Sequence, residues 1–185
     1  MVSITPLFAC YNINMNDTVQ QTLDLQDIAP IKLQSDRPRV RGFYKAPESE
    51  VKDVEGFKMP RRATRCSAGY DLFNNTGADI VLQPNQTSEK ISTGIIAYMQ
   101  EDEVFSVYVR SGHGFKHSVR LANSTGIIDS DYLKEIFIKI RNPNNHQVVI
   151  PKGESFAQGI FTKYLVADDD ADTVGGERIG GLGST

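Results

Sequence analysis

Between residues 41 and 161 the chain repeats short apolar runs separated by turn residues, and this repetition most constrains the fold. The runs are Ile80-Val81-Leu82, Gly94-Ile95-Ile96-Ala97-Tyr98, Val104-Phe105-Ser106-Val107-Tyr108-Val109, Ile136-Phe137-Ile138-Lys139-Ile140, Val148-Val149-Ile150 and Gly159-Ile160-Phe161. They are rich in β-branched and aromatic residues, which suit a pleated, half-buried surface, and Asn-Pro, Pro-Asn and Lys-Gly pairs punctuate them. The pattern predicts an all-β sandwich or barrel. Tyr164-Leu165-Val166 is expected to end the last strand. Helix has room only over residues 112–118 and in the N-terminal arm, where Asn16-Asp17-Thr18 could cap a short helix over 19–25.

The 185 residues allow one domain of ordinary size plus an arm, and 39% apolar with 23% charged residues fits a globular chain. A formal charge of -3 leaves no chain-wide basic surface, so no nucleic-acid partner is expected. No apolar run approaches the roughly 20 residues of a membrane helix, so no membrane partner is expected either. Cys10 and Cys66 read as reduced intracellular thiols, and the opening residues lack the pattern of a signal peptide, which together predict a cytoplasmic protein. Three parts are expected: an N-terminal extension at 1–40, a β domain at 41–166, and at 167–185 an acidic linker with a glycine-rich tail. The tail has no core-forming run and should become ordered only against something else.

Four stretches are too irregular to serve packing alone. In Ser67-Ala68-Gly69-Tyr70-Asp71-Leu72 a small-residue turn leads into a strand and places a carboxylate at its start. Arg110-Ser111-Gly112-His113-Gly114-Phe115-Lys116 ends an apolar strand with a guanidinium, a hydroxyl and two glycines, groups that suit a phosphate cradle as well as a surface hairpin. In Asn123-Ser124-Thr125-Gly126-Ile127-Ile128-Asp129-Ser130-Asp131-Tyr132, strand geometry would aim Asp129 and Asp131 to one side, and a carboxylate so held can act as a general base. Gly153-Glu154-Ser155-Phe156-Ala157-Gln158 places an amide in a buried strand, where it must find partners. His113, His117 and His146 lack zinc-ligand spacing, and no Gly-x-Ser-x-Gly elbow supports a triad from Ser111, His113 and Asp129.

Taken in order, Ala68-Gly69-Tyr70-Asp71-Leu72, Arg110-Ser111-Gly112, the segment 126–132, the segment 153–158 and residues 178–185 resemble the five motifs of the trimeric dUTP diphosphatases (dUTPases). Arg41-Gly42-Phe43 and Met59-Pro60-Arg61-Arg62-Ala63-Thr64 are similar to versions from Gram-positive bacteria and their phages. The resemblance implies a distorted jelly-roll β-barrel, a homotrimer with active sites between subunits, and a C-terminal tail exchanged onto a neighbour. It implies dUTP as substrate, Mg²⁺ as cofactor, and release of dUMP and pyrophosphate by water attack on the α-phosphate. By the same resemblance Asp129 is the general base and Gln158 holds the attacking water or an α-phosphate oxygen. Asp71 lies in the outer shell of a Mg²⁺ held mainly by substrate phosphates and water, with no direct protein ligand.

Further roles follow from the resemblance alone. Arg110, Ser111 and Gly112 would bind phosphate oxygens, Asn123 and Gly126 would face the uracil edge, and Tyr132 would pack under the deoxyribose. Arg178, Leu182, Ser184 and Thr185 belong to the closing tail, Leu182 standing where the family usually has Phe. Lys134 replaces a common Gly, Ser155 a common Arg whose loss should cost an ion pair, and Val109 and His113 also depart from the pattern. The alternatives are a dCTP deaminase-related enzyme and a dUTPase-like regulatory protein that uses residues 1–40 to hold a protein partner.

Overall fold

The computed structural model describes residues 39–170 and Gly175. The expected arm helix, Cys10, Arg178, Leu182, Ser184 and Thr185 lie outside the described residues. Among the described residues thirteen strands and one helix follow in chain order. They are β1 (Gly42–Lys45), β2 (Arg61–Arg62), β3 (Tyr70–Phe73), β4 (Ile80–Leu82), β5 (Ile91–Ser92), β6 (Ile95–Tyr98), β7 (Glu103–Val109), α1 (Ser111–His117), β8 (Arg120–Leu121), β9 (Gly126–Asp129), β10 (Phe137–Ile138), β11 (Ile140–Arg141), β12 (Val148–Ile150) and β13 (Ser155–Lys163). All pairings are antiparallel: a five-stranded sheet of order β2-β3-β13-β7-β9 and the pairs β1-β6, β10-β5, β11-β8 and β12-β4. No helix among the described residues is long and apolar enough to cross a membrane.

The apolar runs become strands because each supplies a core face. Phe105 and Val107 of β7, Leu72 of β3, Phe156 and Ala157 of β13, Ile140 of β11 and Ile150 of β12 meet in one cluster. Burying each large side chain contributes about 1.5–3 kcal/mol relative to leaving it in water. Phe43 of β1 closes the sheet edge, with ring centroids 5.2 Å from Tyr70, 5.2 Å from Phe105 and 5.3 Å from Phe161. Beside it, Arg41 Nε donates to both oxygens of the buried Glu103 carboxylate at 3.0 Å, tying the first described strand to β7. That guanidinium holds Glu103 below the usual carboxylate range.

Two expectations are corrected. The last strand ends at Lys163, and Tyr164, Leu165 and Val166 lie beyond it and are exposed. β7 holds β13 from Ala157 to the Lys163–Glu103 pair and begins at Glu103, so the next residue, Tyr164, meets the turn before β7, its N–H donating to the Asp102 carbonyl at 3.2 Å. The segment 136–140 forms two strands rather than one. β10 pairs with β5 and β11 with β8, so Lys139 marks a change of partner.

Gly159 sits in β13 under the Phe105 ring, and a Cβ built there would lie 2.0 Å from Phe105 Cζ. The ring is fully buried and cannot withdraw. Gly159→Ala is therefore expected to lower unfolding free energy by about 1–3 kcal/mol through overpacking, read as a lower denaturant midpoint with an unchanged slope.

Candidate active site

β13 brings three of the sequence-predicted segments together. Its register sets Gln158 opposite Asp71 of β3 on one side and Tyr108 of β7 on the other. A bulge between Ser155 and Ala157 shifts the start of β13 relative to β3. β7 then passes into the turn at Arg110, whose N–H donates to the Phe156 carbonyl at 3.1 Å, and α1 begins at Ser111. The helix expected over 112–118 thus forms one residue earlier, over Ser111–His117.

The Arg110 side chain is held on two sides. Its Nε lies 2.9 Å from Asp71 Oδ1, and its Nη1 donates to Ser155 Oγ at 2.6 Å. Asp71 is buried while Arg110 keeps about a third of its side chain in solvent. The cation is therefore anchored from the protein side with one edge left toward water. The Ser155 hydroxyl oxygen accepts from Arg110 Nη1, so this position supports the guanidinium from the β13 side. Ser111 and Gly112 are exposed, and a Cβ at Gly112 would meet nothing within 4 Å. Gln158 is half-buried, and Gly69 approaches it so closely that a Cβ there would lie 2.5 Å from Gln158 Oε1. Ser111 and Gln158 also line an open recess of about 520 Å³ with Tyr108, Phe115 and Ile160.

The remaining predicted residues form a second group. Gly126 and Asp129 bracket β9, where Gly126 pairs with Val107 and Asp129 with Val104. Asn123 is exposed in the turn before it, with Nδ2 4.0 Å from a Cβ built on Gly126. Tyr132 is buried and donates its hydroxyl to the Glu135 carbonyl at 2.9 Å. Asp131 lies in the turn after β9, not on the strand, so the expected shared face of Asp129 and Asp131 does not form. The Tyr132 N–H closes that turn by donating to the Asp129 carbonyl at 3.1 Å.

One contributor has no motif to announce it. The Glu135 carboxylate accepts from Ser49 Oγ at 3.0 Å, from Ser92 Oγ, and from the Gly94 N–H at 2.8 Å. It therefore fixes the carbonyl on which Tyr132 rests. A lone Glu after Leu133-Lys134 carries no sequence signal, since its partners Ser49, Ser92 and Gly94 lie 41 to 86 residues before it.

The two groups stand apart. Val104 pairs with both Asp129 and Thr162, whereas Gln158 pairs with Tyr108, four positions along β7. At about 3.3 Å per residue this places Asp129 about 13 Å along the sheet from Gln158, with β7 between them. Among the described residues no three His, Cys, Asp or Glu side chains come together as a metal cluster.

A family model described as dUTPase matches residues 55–175, which contain both groups. The chain belongs to the dUTPase family. It is 40% identical over 153 residues to a deoxyuridine 5'-triphosphate nucleotidohydrolase from Lactococcus lactis, covering 80% of this chain and 98% of that protein. A relative of the same name from Rickettsia prowazekii is 36% identical, with 75% and 96% covered. Among solved structures, the dUTPase from Streptococcus mutans aligns with a TM-score of 0.58 at 31% identity, covering 69% of this chain and 98% of that one. The phage phi11 dUTPase of Staphylococcus aureus shares the fold with a TM-score of 0.58 at 21% identity, over 70% and 94%. The β-barrel architecture of this dUTPase-family chain is thus that of its structural neighbours.

Asp71→Ala would leave Arg110 without its carboxylate. A loss of about 1–3 kcal/mol in unfolding free energy is expected, the scale of a hydrogen bond to a charged group. The double variant with Arg110→Ala should lose less than the sum of the singles, measured by denaturant unfolding.

Proposed function

We propose that the protein hydrolyses dUTP to dUMP and pyrophosphate. The observation that carries this reading is the Arg110 guanidinium, braced by Asp71 and Ser155 beside Gln158 and the exposed Ser111-Gly112 turn. Such a planar cation presents paired donors to phosphate oxygens, and bracing it beforehand lowers the ordering entropy of binding. Its placement among the family's motif residues, in a chain similar to named dUTP nucleotidohydrolases, supports the substrate assignment.

In this mechanism Arg110, Ser111 and Gly112 bind oxygens of the triphosphate, and Gln158 holds the attacking water or an α-phosphate oxygen. Asp129 takes a proton from that water as its oxygen forms a bond to the α-phosphorus. The bond from that phosphorus to the bridging oxygen breaks in line, and pyrophosphate leaves. Tyr132, held against the Glu135 carbonyl, packs under the deoxyribose, where a 2′-hydroxyl would collide. Asn123 and Gly126 face the uracil edge. Residues Arg178, Leu182, Ser184 and Thr185 close over the nucleotide.

The roughly 13 Å between Asp129 and Gln158 supports shared sites, because one chain does not bring base and phosphate residues to one point. A homotrimer supplies the missing half from a neighbour. Exposed apolar side chains, Phe115 at 91% and Ile127 at 59%, give such an assembly surface to bury. Mg²⁺ fits this donor set as an ion carried by the substrate phosphates and water, with Asp71, already paired to Arg110, reaching it only through water. When bound, it neutralises charge on the leaving pyrophosphate. A phage phi11 relative is described as coordinating a structural Mg(II) ion, which supports magnesium as the ion to test first.

Pyrophosphate release measured in parallel from dUTP, dTTP, dCTP and UTP with Mg²⁺ should be selective for dUTP, and equal release from UTP would sink the role of Tyr132. Asp129→Asn should lower turnover by about 100-fold or more while nucleotide binding persists. Near wild-type turnover would remove Asp129 from the mechanism.

A further inference from the structure

α1 is an exposed helix with one buried side chain, His113. The residue is 6% exposed, and its Nε2 lies 3.2 Å from Glu154 Oε1. Glu154 immediately precedes Ser155, the residue whose hydroxyl holds Arg110. Two adjacent residues at the start of β13 therefore grip the two ends of one turn, Ser155 at Arg110 and Glu154 at His113. Between those ends, Ser111 and Gly112 are exposed, and nothing stands within 4 Å of a Cβ at Gly112. Their position is set by the anchors on either side.

The chemistry of the ring favours its neutral form. His113 Nδ1 is buried with no hydrogen-bond partner. With the proton on Nε2, which faces Glu154 Oε1 at 3.2 Å, Nδ1 carries only a lone pair. Adding a second proton would place a charge on a buried ring, which is costly. Burial holds His113 below its ordinary value of 6.5, with His117 on the same helix and Arg110 at its start acting in the same direction, while Glu154 and the Ser155 backbone pull upward. The stabilisation from the neutral ring is whole above the ordinary value and is lost as pH falls through the lower folded one.

We infer that the His113–Glu154 pair is a latch that positions the Arg110-Ser111-Gly112 turn for phosphate binding. This role rests on the dUTP-hydrolase reading above. Both members are positioning residues and neither touches the reacting atoms. A ring that merely filled space would act through its volume alone, whereas a latch requires the Nε2–Glu154 contact, whose carboxylate is itself half in solvent.

The test uses the full chain and its His113→Ala, His113→Gln, Glu154→Ala and His113→Ala/Glu154→Ala variants. KM and kcat for dUTP are measured from about pH 5.5 to about pH 8, with calorimetric binding of inorganic pyrophosphate alongside. His113→Ala and Glu154→Ala should each raise KM about 5- to 20-fold with kcat within about threefold of wild type. The double variant should be no more than about twofold worse than either single. His113→Gln, which keeps a donor for Glu154 without a titrating ring, should restore KM to within about twofold and remove the extra acid-side loss of affinity. Because Glu154 is partly exposed, its variant folds even if His113→Ala does not. A Glu154→Ala enzyme with wild-type KM, additive single effects, or a kcat loss that matches the KM change would each overturn the latch. Absence of dUTP turnover in the wild type would overturn the hydrolase reading instead, and pyrophosphate affinity across the same variants would then decide the latch alone.

Discussion

Strand β13 is hydrogen-bonded on both flanks, and the site depends on that double pairing. Its neighbour β3 delivers Asp71 and its neighbour β7 delivers Arg110, at registers that a one-residue slip would destroy. The Gly159–Phe105 contact locks this register from the core side, because only a residue without Cβ lets the ring lie against the strand. Polar placement and apolar packing are in this way fixed by the same nine residues. The bulge after Ser155 releases the start of the strand from strict alternation, and Ser155 there can reach the Arg110 guanidinium.

Bracing Arg110 has an electrostatic consequence. A lone guanidinium at a surface is mobile and well hydrated, so ordering it on a ligand costs side-chain entropy. Asp71 takes up that cost during folding but also cancels charge. The part of the cation left in solvent keeps donors for an anion, and in the proposed reaction neutralisation of a triphosphate would fall to other cations such as Mg²⁺.

The β architecture was legible because its runs are β-branched and bounded by turn dipeptides, and most became strands where periodicity placed them. The short strands β2, β5 and β8 were not, since two residues carry no period. Tyr164-Leu165-Val166 misled because an apolar run looks the same whether a partner strand exists or not. Asp131 misled for a related reason: alternation was extended past the point where the turn at Ser130 begins. The residues Asp71, Arg110, Asp129 and Gln158 were singled out through the order of short motifs. Glu135 and the pairing of His113 with Glu154 depend on contacts between residues 41 or more positions apart, which no local pattern records. Ser155 was noticed as a departure, but its partner became evident only once the bulge was seen.

The separation of the two residue groups constrains how this chain can act. β9 and β13 flank β7, so Asp129 and Gln158 are tied to one rigid sheet, and no loop movement can bring them to one phosphorus without breaking the β7–β9 ladder. If both serve one reaction, they do so from different chains. The strength of the sheet would then be the reason for assembly: the sheet holds each residue group at its own place, and symmetry would bring unlike groups together. Under that arrangement a substitution that loosens subunit contacts would remove turnover without touching any residue of either group.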